Sequence, residues 1–387
     1  MKKIRDILIS IILSLILGFI SFNLYQSYID DKEEKMIIAD LPSAQEKSDF
    51  QVLLNDNTYY YYNHLNDGDK EIYLALYSSF MRFDDAVTTP ADESSLKDIF
   101  KAVLYDNPHI FWVEHDFEYV INENSVKFIP HYRYNESESE VIKSQIDSKI
   151  NYIVNMADDY STEFEKELYI HDYICESTIY DETIDGNTIY DVLINGKAVC
   201  EGYAKTAQIL LDKLDIDNYL VVGESVFDGE LGPHMWNVVT IDNHNYHLDA
   251  TWNDNDKEND VNYFYFNISD NEIKKDHFKI SPTNNFCISD NENYYVKNKS
   301  YIENFSNFND HISRSAELLY RGENKVEFVF DDTDDFNKAV KHIENETDFF
   351  KYIIESIKRS GRKLDTSEIS YITIAEHNYL CIIFKES

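Results

Sequence analysis

Cys200, His234 and Asp249 are of the three types that run nucleophilic catalysis, and they follow one another in an order that local structure can bring together. Cys200 comes after Asn195-Gly196-Lys197-Ala198-Val199, a turn pair leading through a lysine into small and apolar residues. Beyond it, Tyr203, Ala207, Leu210, Leu211 and Leu214 recur at helical spacing, and Asp217-Asn218 mark an expected end. Cys200 is therefore expected at or near a helix N-terminus. Unpaired N–H groups and the positive dipole end there favour a thiolate over a thiol. A cysteine so placed is a candidate nucleophile if a histidine can reach it.

Such a histidine lies downstream. Gly232-Pro233-His234-Met235-Trp236-Asn237-Val238-Val239-Thr240-Ile241 reads as a turn running into a strand. The turn Asp242-Asn243-His244-Asn245 leads to a return strand, Tyr246-His247-Leu248-Asp249-Ala250. In an antiparallel hairpin, His234 near the start of one strand and Asp249 near the end of the next come out close together. The chemistry this allows is acyl transfer. Cys200 would attack an amide carbonyl, His234 would move the proton to the leaving amine, and Asp249 would fix the ring tautomer and steady the imidazolium. The Cys200 backbone N–H is a natural oxyanion donor, with Tyr180 as a candidate side-chain donor or core tyrosine. Trp236 and Trp252 flank the partners, with packing as their default role and Trp236 also a candidate substrate contact. Asn237 is a candidate supporting group.

Three stretches, in order, resemble the core of the transglutaminase-like superfamily, the circularly permuted relatives of papain-like cysteine proteases. They are Val199-Cys200-Glu201-Gly202-Tyr203-Ala204, His234-Met235-Trp236-Asn237-Val238 and His247-Leu248-Asp249-Ala250-Thr251-Trp252-Asn253-Asp254. The resemblance covers roughly Glu140 to Val296. It implies Cys200 as nucleophile, His234 as general base and acid, and Asp249 as the orienting residue. A position usually held by proline in the family is Ala250 here, away from the chemistry. Tyr263-Phe264 and Asp276-His277-Phe278 resemble the trailing part of bacterial members, and Asn107-Pro108-His109-Ile110-Phe111-Trp112 resembles a segment preceding such cores in some bacterial surface proteins.

Metal binding is a distinct reading of cysteine, histidine and aspartate, but no CxxC or HxxxH pair pre-forms a cage. Asp254, Asp256, Glu258 and Asp260 alternate like a calcium loop, yet Asn259 stands where glycine is expected and Tyr265 where glutamate is expected. No metal and no cofactor are expected. The 387 residues carry 35 basic against 72 acidic side chains, a net charge of −37, which leaves no basic footprint for nucleic acid. The 4 cysteines are too few for a disulfide framework. Cys175, on an apolar helical face with Phe164, Leu168 and His171, and Cys381, in an alternating strand, read as small core residues. His171 on that face reads as a satisfied core histidine.

The expected architecture is α+β: a papain-like or transglutaminase-like core, with a helix-borne cysteine and an antiparallel sheet bearing His234 and Asp249, flanked by two small α+β domains. Residues 1–6 form a basic cytoplasmic N-terminus. The apolar run 7–24 is long enough to span a bilayer and has no small-x-small cleavage site after it, so it reads as a signal anchor rather than a cleaved signal peptide. Charge bias places the remainder of the chain outside the cell. Residues 25–52 are a tether, 53–136 an N-terminal domain, 137–298 the catalytic domain and 299–387 a C-terminal domain. Helices are expected at Asp69–Phe83, Ser94–Leu104, Ser137–Met156, Ser161–Cys175 and Asp335–Lys358. Strands are expected at His109–Val113, Phe117–Asn122, Val126–Tyr134, Tyr219–Phe227, Lys325–Phe330, Ile369–Ala375 and Tyr379–Phe384.

The expected partners are a protein or peptide substrate and the membrane, with cell-wall association open. Two functions compete. One is a membrane-anchored, outward-facing cysteine enzyme, with hydrolysis and amine transfer undivided. The other is a non-catalytic surface module that binds protein or wall peptide in the same cleft.

Overall fold

The computed structural model describes residues 59–90, 93–227, 229–255, 260–282, 286–308, 311, 325–345 and 364–386. The expected anchor and tether, and the centre of the acidic loop at 256–259, lie outside these residues. Two compact units emerge: Met1–Asp159 with Asp181–Leu220, and Tyr160–Tyr180 with Val221–Ser387. They cut across the three expected folded domains. The cysteine segment groups with the N-terminal region, and the His234–Asp249 segment groups with the C-terminal region.

In the first unit, helix Asp67–Arg82 starts on the Asn66 side chain, which accepts from the Asp69 N–H, and stops at Phe83 in the left-handed conformation. Its buried face includes Ile72, Tyr73, Leu76 and Phe80. Phe80 and Phe128 both meet Phe100, from helix Glu93–Asp106, at ring separations of 5.8 and 5.2 Å. The sheet here is antiparallel, with Val126–Tyr132 between Val87–Thr89 and Val113–Ile121. The expected strand at 109–113 begins only at Val113. Ile110, Phe111 and Trp112 are all buried, which alternation cannot achieve, and the Ile110 N–H closes a turn onto the Asn107 carbonyl at 2.9 Å. Helix Glu136–Ala157 opens with an Asn135/Glu138 capping box.

In the second unit, helix Glu163–Ser177 opens with a Thr162/Glu165 capping box. A five-stranded sheet runs in the order Phe266–Ile268, His244–Leu248, Glu230–Ile241, Asn218–Phe227, His277–Ser281. The turn between the central pair is tighter than expected. Asp242 (φ 48°) and Asn243 (φ 63°) are its two central residues, and His244 and Asn245 already pair with Ile241 and Thr240. Two consecutive left-handed residues match the twist of a two-residue hairpin. A second sheet orders Tyr301–Ile302, Lys325–Phe330, Tyr379–Glu386 and Leu364–Ile374. Phe336, Ala339 and Ile343 of helix Thr333–Asn345 share its core with Phe328, Phe330, Leu380 and Ile382. The remainder of the long helix expected to Lys358 lies outside the described residues. No helix among the described residues is long and apolar enough to cross a membrane.

Candidate active site

Cys200 is the first residue of helix Cys200–Asp212 and is half-buried. The helix stops earlier than the expected boundary, with Lys213 as its C-cap. The preceding turn needs Gly196, whose φ is 67°. Before it, Asp191 fastens the approach: its Oδ2 accepts from the Thr188 N–H at 3.1 Å and the Thr188 hydroxyl at 2.6 Å. Val199 N–H then donates to the Gly186 carbonyl at 2.9 Å. Gly202 lies so close to this loop that a Cβ would meet Gly186 O at 2.7 Å and Ala198 Cβ at 2.8 Å. The glycine two places after the cysteine is thus required by a backbone approach that fixes the helix start. Glu201 pairs with Lys205 Nζ at 2.7 Å and His115 Nε2 at 3.1 Å. Burial opposes its charge, but Lys205 and the hydrogen bond with His115 hold its carboxyl down at about 2.

In the second unit the hairpin brings His234 and Asp249 together as expected, with Nε2 of His234 2.6 Å from Asp249 Oδ2. Both are buried. Asp249 also caps the turn Ala250–Asn253, its Oδ1 accepting from the N–H groups of Thr251 at 3.0 Å and Trp252 at 3.2 Å. A fourth bond reaches Oδ2 from His277 Nε2 at 3.1 Å. These four bonds occupy the acceptor capacity of a carboxylate and leave Asp249 one orientation. Burial works against its charge, but His234 and His277 outweigh it and hold its pKa well below the usual carboxylate range. With Nε2 committed to Asp249, Nδ1 is the ring atom of His234 that a nucleophile would address.

Trp236 is buried and stacks on His234, with ring centroids 5.8 Å apart and planes 20° from parallel. Its indole N–H donates to His247 Nδ1 at 3.0 Å, and His247 Nε2 lies 3.0 Å from Asp270 Oδ1. That chain requires the neutral tautomer of His247 with its proton on Nε2, and burial lowers the ring's pKa accordingly. Gly223 sits beneath Trp236: a Cβ there would meet Phe278 O at 2.6 Å and the indole at 2.9 Å. Trp252 lies 5.9 Å from the His234 ring. Asn237 is buried opposite Leu248. Tyr180 lies on the short strand Ile179–Tyr180 and is 36% exposed.

His171 and Cys175 occupy core positions. His171 Nε2 lies 3.0 Å from Asn253 Nδ2 and its Nδ1 2.9 Å from Asp172. The Cys175 thiol faces the Ala250 carbonyl at 3.3 Å, and burial pushes its pKa well up.

Among the described residues, two clusters have the residue types of a metal site, His234–Asp249–His277 and His247–Asp270–Cys287. In the first, the 2.6 Å separation of His234 Nε2 and Asp249 Oδ2 is that of a shared proton; two ligands of one tetrahedral zinc stand roughly 3.3 Å apart. In the second, Lys274 already pairs with Asp270 at 2.9 Å, and burial pushes the Cys287 thiol up to about 12, against the thiolate a metal needs. Both are better satisfied by hydrogen bonds. Sequence reasoning gave no role to His277, His247 or Gly223. The Asp276-His277-Phe278 stretch was the only signal for the first; the buried hydrogen bond from Trp236 reveals His247, and the close approach of Phe278 O and Trp236 reveals Gly223.

Residues 151–250 match the model of the Transglutaminase-like superfamily. No curated protein matches the chain. Among solved structures, the crystal structure of a TGase is 18% identical, with 43% of this chain and 50% of that one covered and a TM-score of 0.25. A proposed protease from Parabacteroides distasonis ATCC 8503 is 13% identical, covering 36% of each chain at a TM-score of 0.23. A proposed cysteine protease from Cytophaga hutchinsonii is 12% identical, covering 35% of this chain and 61% of that one at a TM-score of 0.24. The chain thus spans less than two thirds of each of these structures, and at such scores the assignment rests on the family match and not on them. Residues 151–250, which hold Cys200, His234 and Asp249, are thus similar to the transglutaminase-like superfamily.

Proposed function

We propose that the protein is a membrane-anchored, extracytoplasmic cysteine enzyme acting on protein or peptide amides through Cys200, His234 and Asp249. The observation that carries this reading is the buried 2.6 Å bond from His234 to a carboxylate already held by two backbone N–H groups. A merely structural histidine has no need of so constrained an acceptor, whereas a ring that must alternate between base and acid does. In the proposed cycle the Cys200 sulfur bonds to the amide carbonyl carbon. His234 gives its proton to the leaving nitrogen as the C–N bond breaks, and a thioester remains. Water or a primary amine then attacks the thioester, His234 takes the incoming proton, and the Cys200 thiolate is released. Water yields hydrolysis and a lysine amine yields a crosslink; the residues serve both. The apolar run 7–24 with its basic flank supports the anchor and the outward orientation.

The test is to incubate the protein with a peptide library and a labelled primary amine, and to read products by mass spectrometry. Cleavage, deamidation or amine incorporation that disappears in Cys200→Ala supports the reading. Products that persist in Cys200→Ala, or no products with any pool, would replace it with the binding-module reading.

A further inference from the structure

His277 stands between two carboxylates. Its Nε2 lies 3.1 Å from Asp249 Oδ2 and its Nδ1 2.6 Å from Asp276 Oδ1. The other oxygen of Asp276 accepts the Tyr265 hydroxyl at 2.6 Å. An ionised carboxylate only accepts, so two such acceptors call for a proton on each ring nitrogen, the imidazolium form of His277. Its side chain and that of Asp249 are both closed to solvent. Trp252, Trp236 and Tyr265 pack around the ring at 4.6, 4.9 and 5.6 Å.

We propose that His277 is a positioning residue for His234: as a buried cation it shares the Asp249 carboxylate with His234, fixes that carboxylate's orientation, and limits how tightly His234 holds its proton. The proposal rests on the acyl-transfer reading for its consequence, though not for its geometry. The rings of His234 and His277 are 5.3 Å apart and address the same oxygen. Asp249 alone would bind a proton on His234 strongly, and an over-stabilised imidazolium is a poor general acid toward the leaving amine. A second cation on the same oxygen draws off part of that field.

The charged and titratable groups facing His277 are Asp276 beside it, Asp249 from the hairpin's end, His234 from its strand, and the Tyr265 phenol, behind which His377 packs at 5.8 Å. Burial opposes the His277 charge, but the hydrogen bonds to Asp249 and Asp276 outweigh it and raise its pKa.

The experiment tracks histidine ring nitrogens by NMR against pH in the full-length protein labelled with 15N-histidine, in wild type, His277→Gln and Asp276→Asn. Glutamine keeps an N–H for Asp249 and removes the charge. Asp276→Asn leaves the ring and removes one of the acceptors that keep it cationic. Wild-type His277 is expected to carry protons on both nitrogens at neutral pH. The His234 midpoint is expected to rise by about one pH unit in His277→Gln and by less, in the same direction, in Asp276→Asn. An unprotonated nitrogen on wild-type His277 at neutral pH overturns the proposal, as does a His234 midpoint unmoved or lowered. If His277→Gln does not fold, Asp276→Asn decides by the same criterion.

Iodoacetamide labelling of Cys200 in the same samples separates the two readings. An unreactive Cys200 beside a shifted His234 midpoint removes the acyl-transfer reading and leaves the coupling. A reactive Cys200 beside an unmoved midpoint removes only the role of His277.

Discussion

Four hydrogen bonds converge on Asp249. It takes two imidazole N–H groups on one oxygen and two backbone N–H groups on the other. Asp249→Asn would keep the backbone bonds through its carbonyl and turn an amide N–H₂ toward both rings. His234 would then have to accept at Nε2, so its remaining proton would sit on Nδ1, where the base is needed. Activity should fall by roughly three to four orders of magnitude, measured as the turnover of any amide substrate found. In the wild type, this cluster should give stability two opposed dependences on pH. The depressed Asp249 pKa contributes stability above about pH 3.9, lost as pH falls through the lower folded value. The raised His277 pKa contributes stability below about pH 6.5, lost as pH rises through the higher folded value. The His234–Asp249 pair and the place of Cys200 at a helix start were legible in the sequence because a hairpin and a helix start place single residues with few alternatives. The second imidazole on Asp249 was not, because it depends on which strand pairs with Asn218–Phe227, a long-range choice with no local signature.

Elements set how well these residues are held. Strand Asn218–Phe227 passes under Trp236 at Gly223, where there is no room for a Cβ between the Phe278 carbonyl and the indole. Gly223→Ala should cost about 1–3 kcal/mol, read by urea unfolding, and should lower turnover as well, because Trp236 stacks on His234. Helix Glu163–Ser177 carries Glu167, fully buried, accepting from Asn267 Nδ2 at 2.7 Å. Burial raises its pKa to about 8. The folded state then keeps a proton that the unfolded chain gives up near pH 4.3, so stability falls as pH rises from there to about 8. Glu167→Gln should remove this fall, so that its urea midpoint at pH 8 exceeds that of wild type; an unchanged difference between pH 5 and pH 8 would mean Glu167 is ionised in the fold. Helices with capping boxes and apolar stripes were read within a few residues. The 109–113 segment was misread because a run of consecutive apolar residues fits a buried turn as well as a strand.

For the whole molecule, the expected domain scheme and the compact units divide the chain differently: Cys200 falls in one unit, and His234 and Asp249 in the other. No local pattern could reveal this, since grouping depends on which segments pack and not on their order. If the apolar run 7–24 is the anchor, a chain beginning near residue 28 should leave the membrane fraction. Protease added to intact cells should also digest most of the full-length chain. Retention of the shortened chain in the membrane would point to a different attachment, and protection of the catalytic region would reverse the orientation.

In the proposed mechanism Cys200 is the nucleophile and His234 activates it. Burial pushes up the thiols of Cys175 and Cys287, while Cys200 is half-buried at a helix start. The measurement is the rate of iodoacetamide labelling at each cysteine, resolved by peptide mass spectrometry at about pH 6, where an unactivated thiol scarcely reacts. In wild type, Cys200 should be labelled well ahead of Cys175, Cys287 and Cys381, and in His234→Ala that lead should vanish. Labelling of Cys200 no faster than the other three, or a lead that survives His234→Ala, would contradict the mechanism.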